Sequence, residues 1–128
     1  MKYLTFLLAL LAFYSCKDID DLAGDYRINT VNGTDYTAEE MTLKITTGDD
    51  YGIGGKSACN DYFGSFTVED DIIKVGPIAA TKMFCPDKNE IEKEYFEALG
   101  SIKTGDVKKN ELELKDAQGK VIITATRI

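Results

Sequence analysis

The side chains with chemical capacity gather in one stretch, Gly55-Lys56-Ser57-Ala58-Cys59-Asn60-Asp61-Tyr62-Phe63-Gly64-Ser65-Phe66. A hydroxyl, a thiol, an amide and a carboxylate follow one another there. A serine or cysteine nucleophile needs a neighbouring base, most often histidine. The chain of 128 residues has no histidine, which removes Ser-His-Asp and Cys-His catalysis and every His-containing metal site. Cys59 and Cys85 are not a Cys-x-x-Cys pair, so a thioredoxin-like redox role does not fit, and two cysteines alone cannot make a structural zinc site. Gly52-Ile53-Gly54-Gly55 lacks the lysine-serine and helix that phosphate binding needs. Asp49-Asp50 and Glu69-Asp70-Asp71 match no EF-hand spacing and suit hairpin turns. There is no tryptophan to make a sugar platform. No catalytic residue, metal or cofactor is therefore expected.

The N-terminus points to a compartment. Lys2 precedes the apolar run Leu4–Tyr14, which is shorter than the roughly 20 residues that span a bilayer. Ser15 and Cys16 follow directly, so residues 1–15 read as a secretory leader. Leu-Ala-Phe-Tyr-Ser-Cys resembles a bacterial lipoprotein leader, with Cys16 as the lipidated first residue of the mature chain. The expected location is the bacterial cell envelope, at the outer membrane, with the membrane engaged through lipid on Cys16. Residues 16–23 read as an acidic tether, and Lys17-Asp18-Ile19-Asp20-Asp21 resembles the surface-export signal of Bacteroidetes lipoproteins. The formal net charge of −7 repels nucleic acid and anionic headgroups, so no nucleic-acid partner is expected. An exported chain with two remaining cysteines suggests a Cys59–Cys85 disulfide; two buried thiols are the alternative.

The elements that hold this stretch are mostly strands. Gly24–Val31 reads as a strand ending at the Asn32-Gly33 turn. Met41–Thr46 alternates strictly, with Met41, Leu43 and Ile45 inward. Tyr51–Gly55, Phe63–Val68, Ile72–Val75, Ile78–Met83, Val107–Lys108, Glu111–Lys115 and Lys120–Arg127 follow. One helix is expected at about 88–100. Ile91, Tyr95, Ala98, Leu99 and Ile102 form its apolar stripe, Asp87 its N-cap with Glu90 three residues on, and Gly100 its stop. Glu90, Glu94 and Glu97 read as a solvated face. The pattern predicts one mainly β domain over 24–128, an antiparallel meander forming a small barrel or strongly bent sheet, and a monomer.

Two blocks carry a family resemblance. Gly55-x-x-Ala58-Cys59-Asn60-x-x-x-Gly64-Ser65-Phe66 is similar to the G-x-x-G-C-N-x-x-x-G-x-Y signature of the META domain, and Ile78-Ala79-Ala80-Thr81-Lys82-Met83-Phe84-Cys85 to its L-A-x-T-[RK]-M-x-C block. Glu92-x-x-Tyr95-Phe96-x-Ala98-Leu99 resembles the helix that follows, and Leu112-x-Leu114 with the last strand the closing hairpin. Tyr26 stands where the family has tryptophan, and Ala58 where it has glycine. The resemblance implies a lipocalin-like barrel with one helix, found mostly in envelope lipoproteins and linked to stress tolerance, with no established activity. It implies structural roles for Gly55, Asn60, Gly64, Thr81 and Met83. Asn60 is expected to bond nearby backbone, Gly64 to permit a bend or close approach, and Met83 to enter the core. The function expected is non-catalytic, with an unknown protein or small-molecule partner. A barrel holding a small ligand and an interaction or inhibitor module working through Tyr62-Phe63 are the two alternatives.

Overall fold

Runs of β-branched and aromatic residues, separated by glycine, asparagine and aspartate, give the chain its short strands. The computed structural model describes residues 18–128; the leader, Cys16 and Lys17 lie outside them. The strands are β1 (Gly24–Val31), β2 (Thr34–Asp35), β3 (Thr42–Thr46), β4 (Gly52–Lys56), β5 (Asp61–Glu69), β6 (Ile72–Ala80), β7 (Thr104–Lys108), β8 (Glu111–Lys115) and β9 (Val121–Arg127). Among the described residues one α-helix, α1 (Asn89–Gly100), lies between β6 and β7. Inside the stretch read as a tether, Ile19–Leu22 forms a 3-10 turn with Leu22 buried, so order begins earlier than expected.

All strand pairs are antiparallel, in the order β6-β5-β4-β3-β1-β9-β8-β7, with β2 folded back on β1. The sheet bends strongly but does not close. Its edge strands β6 and β7 form no ladder; the N–H of Ile73 reaches the carbonyl of Lys103 at 2.7 Å, just before β7. Ile72–Val75 and Ile78–Met83, expected as separate strands, are joined in β6. The register passes from Gly64↔Ile78 to Phe66↔Val75, so Gly76-Pro77 is absorbed as a bulge opposite Ser65. Proline lacks the N–H that a ladder position would need, and a bulge tolerates that. Because β6 stops at Ala80, Thr81 and Met83 belong to the connection into α1.

The helix buries Tyr95, Ala98 and Leu99 against the concave face of the sheet, with Ile102 just beyond. Its ends differ from expectation. Lys88, not Asp87, is the N-cap, and no side chain caps the helix. The entry is fixed instead by the Lys88 N–H, which donates to the Cys85 carbonyl at 2.9 Å, and by the Lys88–Glu39 ion pair. Gly100 is the last helical residue and takes no positive φ; Ser101 ends the helix, its N–H on the Ala98 carbonyl at 3.0 Å. Tyr26, Ile28, Val31, Met41, Leu43, Leu112 and Ile123 complete the core. The space between sheet and helix is filled: the cavity lined by Leu22, Leu43, Ile53, Phe66, Leu99 and Leu114 measures about 20 Å³.

Two signature glycines have steric reasons. At Gly64, an added Cβ would lie 3.2 Å from the Pro77 carbonyl oxygen, the close approach expected there. At Gly55, φ is +149° and a Cβ would stand 2.4 Å from the Thr42 carbonyl oxygen. Gly55→Ala should destabilise the fold by at least the ~1–3 kcal/mol of a strained backbone site, read as a lower urea midpoint. Gly52→Ala, whose Cβ would meet nothing closer than 3.6 Å, is the control. Equal midpoints for the two variants would overturn the steric assignment.

Candidate functional site

The stretch from Gly55 to Phe66 ends β4, turns at Ser57–Asn60 and begins β5. The turn is closed by the Ser57 N–H on the Asn60 carbonyl at 2.8 Å. That geometry aims several donors inward at one point, and the Glu92 carboxylate of α1 occupies it. Glu92 Oε2 accepts from the Ser57 hydroxyl at 2.6 Å, the Asn60 N–H at 3.0 Å and the Cys59 N–H at 3.2 Å. Glu92 Oε1 accepts from Asn60 Nδ2 at 2.8 Å. Partial burial works to raise the Glu92 pKa, but the hydrogen bonds from Ser57, Asn60 and Cys59 outweigh it and hold the carboxyl below its ordinary value.

Asn60 is the second half of this clasp. Its Oδ1 accepts from the Thr81 hydroxyl at 2.9 Å and the Met83 N–H at 2.7 Å. Its side-chain bonds therefore run to a helix carboxylate and a distant connection, not to nearby backbone in the turn as expected. Cys59 and Cys85 form a disulfide across the same two segments, with Cα atoms 6.1 Å apart. Thr81 adds its N–H to the Asp61 carbonyl at 3.0 Å. Met83 contributes only backbone: its side chain is 57% exposed, against the expectation that it enters the core. The reason is that β6 has already ended, so strand alternation no longer governs position 83. Ala58, where the family has glycine, takes no positive φ, so the side chain is accommodated.

Beneath the clasp, Tyr62 and Tyr95 meet hydroxyl to hydroxyl. The Tyr62 hydroxyl donates to the Thr42 carbonyl at 2.8 Å, which leaves Tyr95 as the donor between the two rings. Burial raises the pKa of both phenols, so both stay protonated and neither is a base at neutral pH. The Tyr62 ring is buried, whereas its neighbour Phe63 on the outer face is 69% exposed and Phe84 is 81% exposed. The presumed pair Tyr62-Phe63 is thus split between core and surface. Glu94, expected on a solvated face, accepts a hydrogen bond from the Tyr36 hydroxyl.

The site has little room for chemistry. Both oxygens of Glu92 are occupied by the chain's own donors. No group of three or more His, Cys, Asp or Glu able to hold a metal occurs among the described residues, and no buried side-chain nitrogen or oxygen among them lacks a partner. In the sequence Glu92 is one of four glutamates on the helix, and the one that opens the Glu92-x-x-Tyr95 block of the family resemblance. The signal was its place three residues before buried Tyr95, which turns it toward the sheet.

The family model of the META domain matches residues 20–127. The chain belongs to the META domain family. No curated protein matches the sequence. Among solved structures, an NMR structure of a protein from Burkholderia xenovorans aligns with a TM-score of 0.64 at 22% identity, covering 91% of this chain and 94% of that one. A second NMR structure aligns with a TM-score of 0.62 at 24% identity, over 88% and 96%. A crystal structure of a duf4847 family protein from Bacteroides vulgatus aligns with a TM-score of 0.62 at 11% identity, over 85% and 96%. At these identities the likeness is one of fold.

Two predictions follow from the clasp of this META domain. The folded-state pKa of Glu92 lies below its unfolded value, so its contribution to stability is complete above about pH 4.5 and is lost as pH falls through the lowered value. Glu92→Gln should cost about 2 kcal/mol at pH 7, the scale of hydrogen bonds to a charged group, and the difference from wild type should shrink toward pH 3. A difference unchanged from pH 7 to pH 3 in urea titrations would refute the assignment. Separately, the disulfide closes a loop with a sequence separation of 26, worth about 3.5 kcal/mol in the chain-entropy model. Reductant should lower the thermal midpoint, and the Cys59→Ser/Cys85→Ser variant should show that lower midpoint without reductant. A midpoint insensitive to both would count against the cross-link.

Proposed function

We propose that this META domain is a non-catalytic, lipid-anchored protein of the bacterial envelope, monomeric, that works by presenting a surface to a partner and so supports the envelope under stress. The observation that carries the reading is a contrast. Met83 and Phe84 are exposed, yet the backbone beneath them is fixed by the Met83 N–H on Asn60 and by the neighbouring disulfide. A braced backbone loses little further freedom when the side chains it carries dock, which is what a preorganised contact requires. The carrier alternative needs a cavity of at least ~300 Å³, and the apolar cavity between sheet and helix holds about 20 Å³. Catalysis by Glu92 lacks support because its oxygens already accept four hydrogen bonds.

The anchoring part rests on the leader pattern ending at Cys16 and on the resemblance to envelope lipoproteins. Two or more acyl chains hold a protein to a bilayer stably, where one does not. Expressed in a bacterial host, the full chain should stay with membranes through a high-salt wash and leave only with detergent. Cys16→Ser should be recovered in the soluble fraction, or unprocessed. Release of the wild-type chain by salt alone would rule out the lipid anchor. Mass spectrometry of the mature N-terminus, showing acyl chains on Cys16, is the direct check.

A further inference from the structure

The open edge of β6 offers more than exposed side chains. The Thr81 N–H donates to the Asp61 carbonyl, and Phe63 pairs with Ala79. In an antiparallel ladder the groups of successive residues point alternately to the two sides. The N–H and C=O of Ile78 and Ala80 therefore face away from β5, where no strand pairs with them among the described residues. Below them the edge is interrupted by the Gly76-Pro77 bulge and, further on, by the Ile73–Lys103 bond. Above them Met83 and Phe84 are held outward, and Phe63 stands one strand away on the outer face.

Two observations select an occupant. The first is charge. From Ile72 to Pro86 the sequence contains Lys74 and Lys82 and no aspartate or glutamate, in a chain whose net charge is −7. The second is where the chain enters the fold. The 3-10 turn Ile19–Leu22 is clamped by Arg127, whose guanidinium donates to the carbonyls of Asp21 at 3.1 Å and Ala23 at 3.2 Å. Gly24 then pairs with Ile45, at the end of β3 opposite to Thr42 and the clasp. A tether leaving from this turn holds the other end of the strands near its attachment and turns the β6 edge away from it. An apolar patch so placed fits a polypeptide better than the lipid surface.

We propose that the Ile78–Lys82 edge, flanked by Phe63, Met83 and Phe84, docks an extended, acidic segment of a partner polypeptide as an added strand. This rests on the interaction reading above. Main-chain bonds to Ile78 and Ala80 supply the pairing, alternate apolar side chains meet Phe63 and Phe84, and carboxylates meet Lys82 and Lys74. Lysine also keeps an edge from pairing with the wrong chain; here the Gly76-Pro77 bulge confines the open edge to a few residues.

Two measurements on the protein test it. In hydrogen exchange of the purified chain, the Ile78 and Ala80 amides should exchange at least tenfold faster than those of Ala79 and Thr81; equal protection means the edge is covered, and overturns the proposal. In cells making the full anchored chain, a photocrosslinker at Lys82 or Phe84 should capture a polypeptide whose cross-linked peptide carries aspartate or glutamate among alternating apolar residues. Phe63→Asp should reduce the yield severalfold. Adducts to phospholipid, to a second copy of this chain or to nothing overturn the edge assignment. A crosslinker at Lys109, in the β7–β8 turn, separates the two claims. Polypeptide adducts from Lys109 alone overturn the edge and leave the interaction reading standing; none from any position overturns both.

Discussion

The Glu92 carboxylate, held by four donors from the Ser57–Asn60 turn, is the interaction on which the rest of the structure depends. A strand pair and a helix need apolar contact to pack, but apolar contact alone does not set their register. Here a charge-assisted contact does so, at one point on each element. Because α1 is bound at its first turn to the β4–β5 turn, its buried stripe of Tyr95, Ala98 and Leu99 arrives over the concave sheet face in one rotation. The turn in turn depends on Gly55, whose backbone passes so near Thr42 that no side chain fits. Asn60 then couples the turn to the Thr81–Cys85 connection, and the disulfide repeats that coupling covalently.

This arrangement decides what the domain can do. A sheet bent this strongly could hold a ligand, as closed barrels do. The helix prevents it by filling the concavity, and the Tyr62–Tyr95 contact closes the region below the clasp. The polar groups that looked most reactive in the sequence are spent on one another. What remains free is on the convex side and along the sheet's edges, so the functional question moves from the interior to the surface. In the same way, the acidic character of the chain matters less for what it attracts than for making the acid-free segment Ile72–Pro86 stand out.

The strands were legible because half-buried β-strands write their burial into alternation. Leu43 and Ile45 lie inward and Lys44 and Thr46 outward, as the pattern required. The helical stripe was legible for the same reason at its own period. The places where sequence reading failed share a cause: a tertiary contact replaced a local rule. The N-cap went to Lys88 because the disulfide-tied turn and Glu39 fix the helix entry, so Asp87 was not needed. Alternation predicts a strand on to Met83, but β6 stops at Ala80 and Asn60 takes over the backbone beyond it. Glu92 shows less of its role: its place three residues before Tyr95 turns it toward the sheet, but the donors it meets come together only in three dimensions. The family resemblance located the clasp, but only geometry showed what it clasps.

The signature that places this chain in its family divides into two kinds of residue. Gly55, Cys59, Asn60, Gly64, Thr81 and Cys85 are accounted for by close approach, hydrogen bonds or the disulfide. Lys82 and Met83 are not. Both side chains face solvent, and the clasp uses Met83 only through its backbone, which any residue but proline could supply. Phe84 beside them is exposed as well. An exposed large apolar side chain gains nothing from folding, and two in succession on a braced segment raise the risk of unwanted association. The same bracing that makes this exposure costly for solubility makes it effective for contact, because the segment is already ordered before any partner arrives. The physical asymmetry lies within this one segment: its backbone is spent on the fold, through Asn60 and the disulfide, while the Lys82, Met83 and Phe84 side chains are left to the surface.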